Sequence, residues 1–364
     1  MIPIYKPFWP EKSKYFAQKA LDDGWLTNHQ YNIDAERQLA HMLNVRHVLL
    51  TCNGTAATHL VAKGLKFKHP EVNKIIVPNI VYVAAWNSFL FDKEYDLYMA
   101  RTNAHTWNFD LKHVKELATE NSAILAVHNV GNPVNVPWLK RNVGVPIVED
   151  ACEALFGRYG GHVIPTWSLV ASLSFFGNKT ITSGEGGAVV TNDDELADYL
   201  KKLRGQGQTH RRYIHDELGY NYRMTNVQAG ILLGQLDCLT EIQERKNNIW
   251  ERYNKAFAES GVVVLQTVLE NDIRSDWMYA VSLPSRPEPF DEKYEHFKKL
   301  GVEIRPMFYP MHYHTHLNLN SRVHMTDDNV GEEISKTTIM IPSYPDLTAE
   351  EQDRVISAVL GYAL

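Results

Sequence analysis

The sequence predicts an α/β protein in which a mostly parallel central sheet forms a large domain, followed by a smaller α+β unit. Between residues 45 and 205, short runs rich in Val, Ile and Leu alternate with helical patterns, as in a parallel sheet covered by helices on both faces. A long amphipathic stretch begins near 225, and strands and helices follow it in mixed order. A length of 364 residues accommodates two domains, which we place at 1–240 and 241–364.

The elements of the first domain follow from two patterns. Short continuous apolar runs predict buried strands, whereas apolar residues spaced three and four apart predict helices. Up to residue 205, these patterns predict strands at 47–52, 74–78, 123–130, 145–149, 169–176 and 187–191, and helices at 54–65, from 83 onward and at 193–204.

The second half begins with a T-x-x-Q capping box at 225–228, which opens a helix that the apolar stripe extends to about residue 260. A T-x-x-E capping box at 348–351 opens the final helix in the same way. The elements predicted between them are strands at 262–268, 277–283 and 302–308 and a helix at 291–300.

The composition narrows the class of protein. With 44% hydrophobic and 22% charged residues the chain can bury a large core, and a net charge of −6 disfavours nonspecific binding to nucleic acid or anionic membranes. Three dispersed cysteines form neither a disulfide framework nor a zinc pattern. His312, His314 and His316 alternate without accompanying ligands, so we predict no metal. We see no signal peptide or membrane span and expect a cytoplasmic protein.

Two predicted strands end in residues suited to catalysis. In the segment SFFGNKTITSGEGG at 174–187, Lys179 lies just past a strand end, where partial desolvation frees an amine for Schiff-base chemistry. The alternative is an ordinary surface lysine. Asp150 ends another buried strand, at the edge where α/β sheets bind ligands. Its carboxylate is suited to keep a heteroaromatic nitrogen protonated, and a helix N-cap is the alternative.

Two further strand ends complete the pattern. The turn at 51–57 presents free N–H groups at a helix N-terminus, with Gly54 allowing close approach, which suits a phosphate or is simply a turn. Tyr82 follows the next strand and is suited either to stack on a flat ring or to pack in the core. Together the four segments predict a site for a flat, phosphorylated, nitrogen-containing aldehyde, and pyridoxal 5′-phosphate (PLP) fits that description.

Motifs spread over nearly the whole chain resemble the DegT/DnrJ/EryC1/StrS family of nucleotide-sugar aminotransferases, which are PLP-dependent enzymes of fold type I, like aspartate aminotransferase. Asn53 departs from the family, which usually has serine or glycine there, and 309–322 matches only as far as YPMH. The matching motifs are DDGWLT (22–27), NGTAAT (53–58), VPNIVYVAAWN (77–87), VEDACEAL (148–155), SFFGNKTITSGEGG (174–187), GYNYRMTNVQA (219–229) and RPMFYPMH (305–312).

The resemblance implies a role for each matched residue around the cofactor ring. Lys179 is the Schiff-base lysine, and Asp150 binds the pyridinium nitrogen. Tyr82 stacks on the ring, and Glu153 lies near the ring hydroxyl.

The resemblance also implies how the cofactor phosphate is held. Thr55, Ala56 and Ser174 bind it beside Gly54, and Asn221 reaches the phosphate bound by a partner subunit. We therefore expect a homodimer with shared active sites.

Substrate contacts are predicted from residue type. Arg223 and Arg305 are candidates for the nucleotide diphosphate, because a guanidinium matches phosphate geometry. The other candidates, which packing or solvated loops explain equally well, are Trp25, Asn178, Tyr309 and His312.

The combination of motifs is most similar to the 4-aminotransferases that make perosamine or viosamine nucleotides. Lys179 implies transamination, because family members with histidine there perform dehydration. We expect L-glutamate to donate its amino group to a nucleotide-linked 4-keto-6-deoxy sugar, leaving 2-oxoglutarate and a 4-amino-4,6-dideoxy sugar. A 3-aminotransferase and a non-catalytic sensor are the alternatives. A nicotinamide-dependent dehydrogenase is disfavoured, because no G-x-G-x-x-G opens the first βα unit.

Overall fold

A computed structural model describes residues 1–364, which form thirteen α-helices and thirteen strands. The helices are α1 Glu11–Asp22, α2 Gln30–Leu43, α3 Gly54–Lys68, α4 Ala84–Leu90, α5 Leu111–Leu117, α6 Val136–Asn142, α7 Asp194–Arg204, α8 Asn226–Asp237, α9 Leu239–Ala258, α10 Phe290–Lys299, α11 Thr315–Asn318, α12 Asn329–Thr337 and α13 Ala349–Ala363. The strands are β1 His47–Thr51, β2 Lys74–Pro78, β3 Asp96–Ala100, β4 Ser122–Val127, β5 Ile147–Asp150, β6 Arg158–Tyr159, β7 His162–Val163, β8 Ala171–Ser174, β9 Gly187–Thr191, β10 Tyr279–Ser282, β11 Arg305–Pro306, β12 Val323–His324 and β13 Thr338–Ile341.

The centre of the molecule is an eight-stranded sheet in the order β1-β9-β8-β5-β4-β2-β3-β12. Only β9 runs antiparallel to its neighbours, and the other seven strands share one direction. The prediction of an α/β protein with a mostly parallel sheet is therefore confirmed.

Both faces of this sheet are buried, which explains the unbroken apolar runs. On β4, Ile124 and Ala126 belong to one hydrophobic core, whereas Ala123, Leu125 and Val127 belong to another. Successive side chains of a strand point to opposite faces, so a strand covered on both sides must be apolar at every position. This pattern makes the large sheet easy to predict.

A second, three-stranded antiparallel sheet, in the order β10-β13-β11, lies in the C-terminal third. Helices α9 and α13 pack on it through a separate core that includes Tyr253, Phe257, Val355 and Val359. Two segments cross the division that we propose at residue 240. The N-terminal Ile2 pairs with Val302, and β12 joins the large sheet beside β3.

Three predicted elements differ from the structure. The strand predicted at 302–308 is reduced to the two residues of β11. The long helix expected over 225–260 is two helices, because Cys238 (φ −108°, ψ 12°) ends α8 before α9 begins. Helix α8 packs closely on α1, where a Cβ at Gly234 would come within 2.2 Å of the Ser13 nitrogen, and α9 leads to the small sheet. The predicted strand at 262–268 is only an isolated bridge between Val264 and Ser282.

The predictions of two capping boxes are confirmed. Both capping boxes form: the Thr225 and Thr348 hydroxyls accept the N–H groups of Gln228 and Glu351, each at 3.2 Å. None of the helices combines the length and the apolar character that crossing a bilayer requires.

Candidate active site

A cleft of about 740 Å³ opens at the carboxyl ends of the parallel strands. One side, which we call the sheet wall, comes from the residues that end or follow β1, β2, β5 and β8, and its members are Gly54, Thr55, Tyr82, Asp150, Glu153, Ser174 and Lys179. The facing side, which we call the C-terminal wall, consists of Trp277, Met278, Arg305, Phe308, Tyr309 and His314. Asn178 also lines the cleft.

The N-terminus of α3 lies at one end of the sheet wall. Asn53 caps this helix, because its Oδ1 accepts the N–H of Ala56 at 2.8 Å. A Cβ on Gly54 would lie 2.9 Å from the Cβ of Ser174, so only glycine allows the helix to come this close to the end of β8. The first turn of α3 carries no acidic residue. Its N–H groups and dipole therefore favour an anion beside Ser174.

Asp150 lies at the end of β5 in the floor of the cleft and is 8% exposed. Its Oδ1 accepts the N–H of Cys152 at 3.0 Å in the turn that follows the strand. No helix begins at this turn. The N-cap alternative is therefore wrong for Asp150, and the carboxylate lies in the cleft.

Glu153 is a second buried carboxyl group in the sheet wall. It is 7% exposed, and its Oε2 accepts the N–H of Val130 at 2.8 Å. Burial raises the pKa of Glu153 to about 7, and the nearby charge of Lys179 opposes that shift. Glu153 thus exchanges its proton near neutral pH.

Lys179 belongs to the sheet wall, faces the C-terminal wall and is not a free surface lysine. Its N–H donates to the carbonyl of Phe176 at 2.9 Å, which closes a tight turn after β8. Its Nζ lies 4.1 Å from the ring centroid of Trp277. The amine therefore faces the cleft, close enough to the buried carboxyl groups for its charge to act on Glu153.

Tyr82 lies at the opening of the cleft and does not pack in the core. It is 60% exposed, and its ring centroid lies 6.1 Å from that of Phe308 at an angle of 58°. The ring is free to stack on a flat group, and its contact with a cofactor stays a prediction.

Ala56 is an exception among the predicted phosphate contacts. Its N–H is committed to the side chain of Asn53, and it does not line the cleft. The cap at Asn53, an unusual residue for this position, accounts for the difference.

Several other predicted residues lie outside the cleft of this chain. Trp25 stacks on His29 with ring centroids 4.2 Å apart, and His312 pairs with Glu332 at 2.8 Å. Asn221 and Arg223 are exposed on the segment between α7 and α8, opposite Gly205 and Thr51. The resemblance assigns Asn221 to the site of a partner subunit, and that role stays a prediction.

The sequence did not predict four residues of the C-terminal wall, Trp277, Met278, Phe308 and His314. Trp277 carries no local signal, since it starts an ordinary predicted strand. His314 was noticed only within the alternating histidines. It contacts the edge of Trp86, with centroids 5.4 Å apart, and burial lowers its pKa, so the imidazole is neutral at pH 7.

The residues of the sheet wall fit PLP. The N-terminus of α3, held against Ser174 by Gly54, suits the phosphate. The buried Asp150 suits a protonated ring nitrogen, and the Lys179 amine suits the aldehyde.

Comparisons with known proteins show which family this chain is similar to. The sequence profile of the DegT/DnrJ/EryC1/StrS aminotransferase family matches residues 10–360. GDP-perosamine synthase of Escherichia coli O157:H7 is 32% identical over 356 residues, covering 96% of this chain and 95% of the relative. GDP-perosamine synthase of Caulobacter vibrioides is 32% identical over 372 residues, covering 98% and 97%.

The fold also matches solved structures. The structure of E. coli GDP-4-keto-6-deoxy-D-mannose-3-dehydratase with bound hydrated PLP superimposes with a TM-score of 0.90 at 21% identity, covering 98% of this chain and 99% of that one. At this level of identity the similarity concerns the fold, and it confirms the predicted architecture.

Proposed function

Because this chain belongs to the DegT/DnrJ/EryC1/StrS aminotransferase family, we propose that it transfers the amino group of L-glutamate to the 4-keto carbon of a nucleotide-linked 6-deoxy sugar. The product is a 4-amino-4,6-dideoxy sugar of the perosamine or viosamine type. Full-length similarity to proteins named GDP-perosamine synthase supports the 4-position and favours a GDP-linked sugar.

PLP is the cofactor of this family of aminotransferases, and when bound it supplies an aldehyde and an electron-withdrawing ring. Gly54 and Thr55 at the start of α3, together with Ser174, hold its phosphate. Asp150 accepts a hydrogen bond from the ring nitrogen and keeps that nitrogen protonated. Tyr82 covers one face of the ring.

Lys179 acts as both nucleophile and proton carrier. In the first half of the cycle, its Nζ accepts the α-proton of glutamate. In the second half, the same atom delivers a proton to C4 of the sugar. Its place between Asp150 and the C-terminal wall supports both tasks, because it lies in the cleft and not in bulk solvent.

The C-terminal wall is suited to the sugar nucleotide. Arg305 lines the cleft and pairs with Glu303 at 2.9 Å, with its side chain 55% exposed. A partly exposed guanidinium at a cleft is suited to bind a diphosphate. Tyr309 and the neutral His314 line the same cleft and offer hydrogen bonds to hydroxyl groups of the sugar.

The proposal also includes a homodimer with shared active sites, in which Asn221 of each copy reaches the cofactor phosphate bound by the other copy. Mixing inactive Lys179→Ala protein with Asn221→Ala protein, after subunit exchange, should restore activity, because one of the two sites in each mixed dimer is then intact. Purely additive activities after exchange would contradict shared sites.

The observation that carries the proposal is the convergence of Lys179, Asp150 and Gly54 on one cleft. The test supplies glutamate to the PLP-loaded enzyme and then offers GDP-4-keto-6-deoxymannose, or the UDP- and dTDP-linked 4-keto-6-deoxyglucose. We expect one of these sugars to be aminated at C4. Amination only of 3-keto sugars would favour a 3-aminotransferase. A yellow protein that fails even to react with glutamate would favour a sensor.

A further inference from the structure

Trp277 lies directly against the reactive amine of the sheet wall. Nζ of Lys179 is 4.1 Å from the centroid of its ring, within the range of an attractive contact between a cation and an aromatic face. Trp277 is 5% exposed and belongs to the C-terminal wall. Trp277 therefore connects the two walls through its contact with Nζ of Lys179, the atom that takes part in the chemistry.

The orientation of Trp277 is fixed by contacts other than the one with Lys179. Its indole Nε1 donates to the carbonyl of Asn178 at 3.1 Å, which ties the ring to the residue before Lys179. Its ring also lies nearly parallel to that of Phe308, at 12° with centroids 6.5 Å apart. The indole is therefore a rigid surface.

The backbone of Trp277 is held as firmly as its ring. Its carbonyl accepts from Nζ of Lys246 at 2.6 Å, and the same ammonium group donates to the carbonyl of Ser343 at 2.8 Å. Lys246 lies on α9 and is 4% exposed. A buried lysine that joins two carbonyl groups by direct hydrogen bonds fixes the segment that carries Trp277.

We propose that Trp277 is a positioning residue whose indole face holds the amine of Lys179 at the cleft whenever that amine is not bonded to the cofactor. This inference rests on the proposed function. In each cycle the amine of glutamate takes the place of Nζ at the aldehyde carbon, and Nζ later displaces the amine of the product sugar from the same carbon. When free PLP is loaded, the bond to Nζ forms with loss of the aldehyde oxygen as water. A long flexible side chain recaptures that carbon faster if its free amine has a fixed position nearby.

The test measures how two forms of the cofactor bind to protein that has been prepared without cofactor. Pyridoxamine 5′-phosphate fills the same site but forms no bond to Lys179, whereas PLP forms a bond that borohydride reduces to a stable link. For Trp277→Leu we expect the rate of this bond to PLP to fall about tenfold, with the affinity for pyridoxamine phosphate unchanged. Trp277→Phe, which keeps an aromatic face, should regain most of the rate.

A matched control is Trp167→Leu. Trp167 also faces a lysine amine, with Nζ of Lys140 at 5.9 Å, but it lies outside the cleft. Its replacement should leave both cofactor measurements unchanged. If Trp277→Leu does not fold, Trp277→Met takes its place, because methionine fills irregular space without an aromatic face.

Two results would overturn the inference. An unchanged rate of bond formation in Trp277→Leu would show that the amine needs no such support. A parallel loss of affinity for pyridoxamine phosphate would show that Trp277 only shapes the cofactor pocket. If the wild-type protein itself forms no bond between PLP and Lys179, the proposed function fails and the inference fails with it.

Discussion

The two walls of the cleft are built in different ways. The sheet wall consists of residues at the ends of buried strands, so that the backbone of the large sheet fixes each of them. The C-terminal wall comes from segments outside that sheet, held by individual hydrogen bonds such as the one from Met311 N–H to Asn79 at 2.9 Å. We therefore expect the sheet wall to set the chemistry and the C-terminal wall to set the substrate.

The largest effect is expected at Lys179, in the sheet wall. Lys179→Ala removes both the nucleophile and the proton carrier, so single-turnover rates with glutamate and with the sugar nucleotide should each fall by about 10⁴-fold or more. Lys201→Ala, an exposed lysine on α7, is the control and should retain full activity. A Lys179→Ala protein that turns over at nearly the wild-type rate would contradict the expectation that the sheet wall sets the chemistry.

The next prediction concerns the pH dependence of stability that the buried Glu153 of the sheet wall should produce. Because its pKa is raised to about 7 in the fold, the folded state holds this proton more tightly than the unfolded chain does. The resulting stability is complete below about pH 4.5 and is lost as pH rises through 7. Glu153→Gln lacks this titration but keeps an oxygen for the N–H of Val130.

The measurement is urea unfolding of the cofactor-free protein at pH 5 and pH 8. The free energy of unfolding of the wild type should fall relative to Glu153→Gln by on the order of 2 kcal/mol between these values. Equal pH dependence in the two proteins would mean that Glu153 titrates as an ordinary exposed carboxyl group.

Replacing Arg305 tests whether the C-terminal wall sets the substrate. Arg305→Ala should raise the KM for the sugar nucleotide by about tenfold to thirtyfold through loss of a charge-assisted contact with phosphate, and leave the glutamate half-reaction unchanged. The control is Arg252→Ala, which removes a surface pair with Asp353 far from the cleft. Equal losses in both half-reactions would show that this wall also takes part in the chemistry.

The smallest effect concerns Asn53, which caps α3 beside the phosphate site. Asn53→Ala should lower the free energy of unfolding by about 1 kcal/mol. Asn53→Ser should lose much less stability, because serine is also a good N-cap. Thermal unfolding of the three proteins measures this. If the alanine variant is as stable as the wild type, the cap does not anchor this end of the sheet wall.

The sequence was informative about the sheet wall for a physical reason. Parallel strands end at one edge of a sheet, so Gly54, Tyr82, Asp150 and Lys179 were expected on the same edge once the strands were recognised. Ala56 does not line the cleft, and its N–H donates to the side chain of Asn53, a contact that the residue pattern did not reveal.

The C-terminal wall was much less predictable, because contacts between distant residues build it. Pairing of Val323 with Leu97 draws a late segment onto the large sheet, and no local periodicity encodes that choice. The place of Trp277 likewise depends on Lys246, which lies on another element. The break at Cys238 between α8 and α9 lies within a continuous apolar stripe, so the stripe concealed it.

The most direct test of the account is to find the atom that binds the cofactor. The protein is incubated with PLP, reduced with borohydride and digested, and the modified peptide is identified by mass spectrometry. We predict a single phosphopyridoxyl group on Lys179, which is absent from the Lys179→Ala protein. Modification of a different lysine, or of none, would contradict it.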